Sequence, residues 1–436
     1  MAHIVVIGAG LAGLPTAYEL RHLLPRQHKI SLLSNTPKFT FLPSLPWVGL
    51  GLTQLKKVQL EVGELVSKRG IEWIPEAVIQ LNPYSQEVYT NAQILKYDYI
   101  VIATGAELAL DTVPGLGPDN GYTQSVCNPH HALMASDAWQ KFVQNPGPLV
   151  VGAVPGASCF GPAYEFALLA DFVLRQQGLR NQVPITFVTP EPYAGHLGIG
   201  GMANSSQLVT QLMVDRGVEV LENTAISHIT SQHIILANGH QLPFHYSMLL
   251  PPFRGPRFVR EAVGLGDANG FIPVLPTYQH PQFPSVYSAG VVTQLAPPEA
   301  TPIPIGVPKT GQMVEAMGMA VAHNLAIELG AISAQPVAPT LEAICFADFG
   351  DMGLLFLADP VLPDPETGKR RRAITLGGRW VSWMKTAFEQ YFLAKMRWGS
   401  AVPWFERLGL WAVGLSLLET VPPAEPHTTP KDALSH

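Results

Sequence analysis

Three cysteines stand in 436 residues: Cys127, Cys159 and Cys345. A thiolate can act as nucleophile, metal ligand or redox partner, and its pKa controls which. None of the three forms a C-x-x-C pair, so neither a zinc knuckle nor a thioredoxin-type couple has local support. Three is too few for a disulfide-stapled secreted scaffold, and it is odd. At least one thiol is therefore unpaired within the chain or does chemistry. The ordinary fate of a lone cysteine is burial as a small, inert hydrophobe. Cys159 differs by its place in Gly152-Ala-Val-Pro-Gly156-Ala-Ser-Cys159-Phe-Gly161, just before an expected helix. A helix N-terminus lowers a thiol pKa, so Cys159 is expected to be a reactive thiolate. Its partner would be distant in sequence. His130, His131 and His196 have no supporting carboxylate cluster, so structural or proton-handling roles are expected and no metal site.

The elements that must position these groups start at the N-terminus. His3–Ile7 reads as a strand, then Gly8-Ala9-Gly10-Leu11-Ala12-Gly13 opens a helix through Leu24. A second strand, Lys29–Leu33, ends at Ser34-Asn35. This is a βαβ unit with a G-x-G-x-x-G turn, whose glycines let the backbone approach a pyrophosphate at a helix N-terminus. An NAD-type unit carries Asp or Glu after the second strand. Ser34 and Asn35 can bond a ribose there without charge. Tyr97–Ile102 then runs into Ala103-Thr104-Gly105, similar to a turn of two-dinucleotide-domain flavoproteins. Val286-Tyr-Ser-Ala-Gly290 resembles their second flavin motif, although Val291 stands where Asp is usual. Three such signatures in this order favour FAD over NAD. The second glycine turn is broken by Pro155 and holds Cys159, so a nicotinamide site there looks lost or repurposed. The expected fold is α/β, with two Rossmann-like domains. The FAD domain would be discontinuous, 1–110 and 275–330, with the second domain at 111–274. A C-terminal membrane-binding region would cover 331–420, and 421–436 would be a disordered tail.

Composition bounds the rest. Apolar residues make up 47% of the chain and charged residues only 14%, with a net charge of −6. An ordinary soluble chain is about 25% charged. So apolar a sequence is not intrinsically disordered, and without a basic stripe it is no general nucleic-acid binder. The low charge invites a membrane reading, but no segment reaches the ~20 apolar residues a spanning helix needs. Met1–Tyr18 has no basic start, so no secretory leader is expected. From Lys369 onward the character changes: ten Lys/Arg against five Asp/Glu, and five of the eight tryptophans. Trp380, Met384, Ala387, Phe388 and Tyr391 fall on one helical face, with Lys385, Glu389 and Gln390 mostly off it. A basic, Trp-rich amphipathic helix lies in a membrane interface rather than across it. The bland alternative is a helix packed on the flavin domain or in a dimer contact.

Taken together, these residues are similar to the sulfide:quinone oxidoreductases, specifically the bacterial type with three functional cysteines. The matching segments are Val6–Gly10, Pro43–Gly49, Ile102–Gly105, Gln124–Cys127, Gly156–Glu165, Glu191–Gly198, Pro308–Gly311, Cys345–Asp348 and Ala387–Phe392. The resemblance covers the chain to about residue 410 and implies the following. Cys159 and Cys345 are the redox pair, often bridged by extra sulfur, and Cys127 is an accessory. Glu165 lies near the sulfide site, and His131 and His196 tune protonation. FAD is held by Gly8 to Gly13, Ser34, Asn35, Ala77, Val78, Thr104, Gly105, Gly290, Lys309 and Thr310. Ile344, Phe346, Phe388, Tyr391 and Phe392 wall the quinone ring, with Lys385 a polar contact there. Sulfide would attack the bridge, leaving a persulfide on one cysteine. The thiolate released, Cys345, would pass two electrons through FAD to a membrane quinone. Partners are thus sulfide, quinone and a membrane surface, with a homo-oligomer possible and no nucleic acid. The rivals are a type II NADH:quinone oxidoreductase and a non-enzymatic FAD-containing redox sensor at the membrane.

Overall fold

The computed structural model describes residues 1–364 and 366–421. The chain opens with β1 (His3–Ile7), α1 (Gly13–Leu23) and β2 (Lys29–Leu33), then adds β3 (Glu72–Ile74) and β4 (Tyr99–Ile102). A second unit follows, with α2 (Pro129–Phe142), β5 (Leu149–Ala153), α3 (Gly161–Gln176), β6 (Ile185–Val188), β7 (Val218–Leu221) and β8 (Tyr246–Leu250). The chain then returns to the first unit through β9 (Val286–Ser288) and α4 (Gly311–Glu328). It ends in a hairpin sheet, β10 (Ala343–Asp348), β11 (Gly353–Asp359) and β12 (Arg372–Gly378), followed by α5 (Arg379–Trp398) and α6 (Trp404–Ala412).

Two parallel sheets form the frame. The first has the order β9-β4-β1-β2-β3 and the second β7-β6-β5-β8. Parallel strands covered on both faces read as unbroken apolar runs, and Ile4-Val-Val-Ile7 and Ile100-Val-Ile102 are such runs, all buried. Ligand sites of such sheets lie beyond the carboxyl ends of the strands, where a glycine turn feeds a helix. The β1–α1 turn is that place. A Cβ on Gly13 would collide with the Gly8 carbonyl, so only glycine lets α1 start this close to β1. The third sheet is antiparallel. Its strand β10 alternates its side chains, so Cys345 faces opposite to Ile344 and Phe346.

The helix α5 adds a buried polar side that the sequence reading did not foresee. Its buried side is Val381, Lys385, Glu389, Phe392, Leu393, Lys395 and Met396. Its outward side carries Trp380, Trp383 and Met384. Of the polar residues expected off the apolar face, Lys385 and Glu389 are inside and Gln390 is exposed, while Trp380, Met384 and Ala387 of that face are outside. The physical reason is pairing. Lys385 meets Glu165, Lys395 meets Glu315 and Glu406, and Glu389 accepts from the Ser44 hydroxyl. A buried charge is tolerated when paired and hydrogen-bonded. The helix stops at Gly399, whose left-handed backbone closes its last turn. Among the described residues, no helix is long and apolar enough to cross a membrane. The expected tail at 421–436 lies, beyond Val421, outside the described residues.

Candidate active site

The first glycine turn has the shape of a dinucleotide cradle. Gly8 has φ +103°, and a Cβ there would press into the Ala103 carbonyl, which ends the strand before Thr104-Gly105. A Cβ on Gly10 or Gly105 would meet no atom within 4 Å, so both glycines border open space at the α1 N-terminus. Gly290 closes the other side, where a Cβ would stand 3.0 Å from Ala12 Cβ. Ser34 is buried at the end of β2, Asn35 is exposed beside it, and the Ser34 N–H donates to the Ile74 carbonyl. Ala77 and Val78 follow Ile74 by three and four residues on that same edge, half-buried. Thr310 precedes the first turn of α4. Gln312 in that turn accepts from the Ile344 N–H at 2.8 Å, while its buried Nε2 has no partner among the described residues. Lys309 Nζ lies 5.1 Å from the Phe271 ring centre, and burial lowers its pKa to about 8 against the opposing pull of Asp267. Open space at a helix N-terminus, an orphaned donor and a buried lysine together fit a dinucleotide with its pyrophosphate on α1.

The three thiols come from three elements, the loop before α2, the turn before α3, and β10, and all are free. They lie close enough that charge on Cys127 or Cys345 would raise the pKa of Cys159. Each cysteine keeps some accessible surface yet is densely surrounded by protein, so desolvation dominates. Burial pushes Cys127 and Cys345 up to about 11 and Cys159 up to about 12. The expectation of a low-pKa Cys159 is therefore overturned. The sulfur stands two residues ahead of α3, and loss of water outweighs the helix dipole. Cys345 differs from Cys159 in having groups that oppose its burial, the Thr310 hydroxyl and the Lys385 ammonium, as Cys127 has the Ser125 hydroxyl.

Around the thiols is a buried charged group. Glu165, one turn into α3, pairs with Lys385, whose ammonium lies 4.8 Å from the centre of the Trp47 ring. The Trp47 N–H donates to Asp348 at 3.1 Å. Burial raises Glu165 to about 7, with Lys385 pulling the other way. Lys385, expected as a polar contact beside the quinone, lies between the Glu165 carboxylate and the Trp47 ring. Several of the residues expected around the quinone form an aromatic cluster. Phe388 and Phe392 of α5 meet Phe346, Phe41 and Phe39 with ring centres 5.3 to 6.2 Å apart. Tyr391 departs from it, because its hydroxyl donates to Glu406 at 2.6 Å and its ring packs on Phe405. His131 is buried on α2, four residues after Cys127, with Nε2 3.1 Å from Asp119.

The family model for pyridine nucleotide-disulphide oxidoreductases matches residues 2–320. A sulfide-quinone reductase of Aquifex aeolicus is 42% identical over 414 residues, 93% of each chain. The chain belongs to the sulfide:quinone oxidoreductases. The crystal structure of the Aquifex aeolicus sulfide:quinone oxidoreductase superposes with TM-score 0.93 at 40% identity, covering 98% of both chains. A mitochondrial sulfide:quinone oxidoreductase of Dictyostelium discoideum is 26% identical over 79% of this chain and 77% of its own. An NDH2 structure from Plasmodium falciparum has TM-score 0.67 at 14% identity, covering 96% of this chain and all of that one, a likeness of fold alone.

Within this sulfide:quinone oxidoreductase, sequence reasoning missed several buried groups. Glu191 is fully buried and accepts from Tyr164, Thr189 and the Leu197 N–H. Glu315 and Glu406 flank Lys395 beneath Phe392. Also missed is the exposed Glu299, which meets the buried His196. No local pattern reveals the ion pairs, whose members lie up to 103 residues apart.

Proposed function

We propose that the protein oxidises sulfide at Cys159 and Cys345 and passes the electrons through FAD to a membrane quinone, releasing sulfur as polysulfide or elemental sulfur. One observation carries the assignment. Thiols from three elements converge, while Ile344 and Phe346 lie on the opposite face of the strand that holds Cys345. Family membership supports sulfide as donor and quinone as acceptor.

When bound, FAD supplies the two-electron carrier between thiols and quinone. The cradle from Gly8 to Gly13, with Ser34, Thr104, Gly105, Gly290, Lys309 and Thr310, holds it. Sulfide attacks Cys159 within a sulfur bridge to Cys345. A bond forms to Cys159 sulfur, the bond to Cys345 breaks, and its electron pair stays on Cys345. Exchange favours the leaving thiol that is easier to ionise. Lys385 and Thr310 make that thiol Cys345. Glu165, half-ionised near neutral pH, takes the sulfide proton and holds it against Lys385. Cys127 stands within charge-coupling distance as a further sulfur-handling thiol. Ile344, Phe346, Phe388 and Phe392 exclude water from the quinone ring. The exposed tryptophans of α5 and α6 seat the protein on the bilayer as a monotopic, peripheral membrane protein.

Anaerobic mixing with sulfide should bleach the flavin, and added quinone should restore it. Bleaching by NADH and not by sulfide would sink the reading in favour of the NADH-dependent rival. Cys159→Ala and Cys345→Ala should each abolish bleaching by sulfide. Near-normal reduction in either variant refutes that residue's assignment.

A further inference from the structure

Between β9 and α4 the chain runs as a strap, residues 295–303, rich in proline (Pro297, Pro298, Pro302) and mostly exposed. Both ends of the strap are fixed. The Gln294 N–H donates to the Ile272 carbonyl at 2.8 Å. At the far end the Gly156 N–H donates to the Pro304 carbonyl at 2.7 Å, and the Gly306 N–H to the Ala157 carbonyl at 2.9 Å. A Cβ on Gly306 would stand 2.6 Å from Ser158 Cβ. The anchor that follows the strap, Pro304 to Gly306, is therefore seated on the three residues that lead into Cys159, so the strap ends beside that thiol.

Between those ends, one side-chain hydrogen bond ties the strap to another element among the described residues. His196 Nε2 and Glu299 Oε1 lie 2.8 Å apart. His196 is buried, while the Glu299 side chain is 54% exposed. The other ring nitrogen, Nδ1, accepts the Gly198 N–H at 3.2 Å. An accepting Nδ1 places the ring proton on Nε2, which donates to Glu299. With both nitrogens engaged, His196 holds geometry rather than moving a proton. It is a fixed post. Its loop is held from below by the Tyr164 hydroxyl at the Gly195 N–H, by Glu191 at the Leu197 N–H, and by Arg370 at the Ile199 carbonyl. The strap, with its exposed backbone and single tie, is the part free to move.

We propose that residues 295–303 form a gate over Cys159, that Glu299 is the positioning residue latching it to His196, and that the sulfur chain leaves when the latch opens. The passage of sulfur rests on the assignment of Cys159 made above. The latch itself is read from thiol access, which needs no turnover. Full-length holoenzyme is reduced with dithiothreitol, desalted, and treated with N-ethylmaleimide or with a bulky polyethylene-glycol maleimide. Labelling of Cys159 is followed by peptide mass spectrometry. Glu299→Ala should raise the rate at Cys159 at least fivefold for the bulky reagent and less for the small one. Flavin spectrum and melting midpoint should stay as in the parent. Glu299→Gln, which keeps the acceptor oxygen, should stay within twofold. An unchanged rate in Glu299→Ala, a rise that comes with a lowered melting midpoint, or an equal rise in Glu299→Gln each overturns the latch. If Cys159→Ala still bleaches with sulfide, the role in sulfur passage fails while the labelling result stands by itself.

Discussion

Glu165 is held between two opposing effects. Burial disfavours its charge, and Lys385 favours it, leaving the carboxyl at about 7. Only the ionised form can accept the proton of an incoming sulfide, so the rate should fall as pH drops through about 7. The substrate titrates in the same range, so the parent must be compared with Glu165→Gln at each pH. The ratio of flavin-reduction rates should grow from pH 6 to pH 8 and reach about 10²-fold, a typical contribution of a positioned base. A constant ratio across that range would remove Glu165 from proton transfer. The motif that named Glu165 could not have told this. Burial and a lysine 220 residues away set the carboxyl's behaviour, and neither is written in the local sequence. Cys159 teaches the same lesson in reverse. Its position before a helix argued for a thiolate, and burial pushes it to about 12.

At the scale of elements, the parallel strands and glycine turns were legible because short-range patterns dictate them. A β-branched run followed by G-x-G-x-x-G specifies strand, turn and helix with no help from elsewhere. The α5 helix was legible as a helix but not in orientation, since Lys385 and Lys395 point inward only because carboxylates on α3, α4 and α6 await them. A similar long-range device clasps the second sheet to the C-terminal hairpin. Asp171 on α3, 1% exposed, accepts from Arg175, Arg180 and Arg216, and two of these also reach Asp351 beyond β10. Removing the buried carboxylate takes from three guanidiniums the acceptor they share. Asp171→Ala should therefore cost about 3–5 kcal/mol, the usual loss for one partner of a buried pair. Asp351, about a third exposed, can be replaced by water, and Asp351→Ala should cost less than about 1 kcal/mol. Thermal melting of both holoenzyme variants checks the order. Equal losses would show that burial of Asp171 is not what makes the clasp matter.

For the whole molecule, the proposed seat on a bilayer raises the question of which force would hold it there. The sequence suggested two forces, an apolar aromatic face and the basic run Lys369–Arg372. The structure separates them. Arg371 and Arg372 both pair with Asp359, and Arg370 donates to the carbonyls of Val361 and Ile199, so the run is largely spent inside the fold. The aromatic face is open, with Trp383 and Trp404 each 76% exposed and Trp411 74%. An indole with half its surface covered by lipid contributes about 2 kcal/mol. Three of them far outweigh charges that already have partners and are screened beyond about 10 Å in salt. The protein should therefore bind neutral phosphatidylcholine vesicles and stay bound in 0.5 M salt. The Trp383→Ser, Trp404→Ser and Trp411→Ser triple variant should lose binding at least 100-fold in flotation. Because these side chains lie away from the thiols, flavin bleaching by sulfide should persist in that variant while reduction of quinone held in vesicles fails. If salt releases the parent protein from anionic vesicles and neutral ones never bind it, the basic run is the anchor and the aromatic face is not.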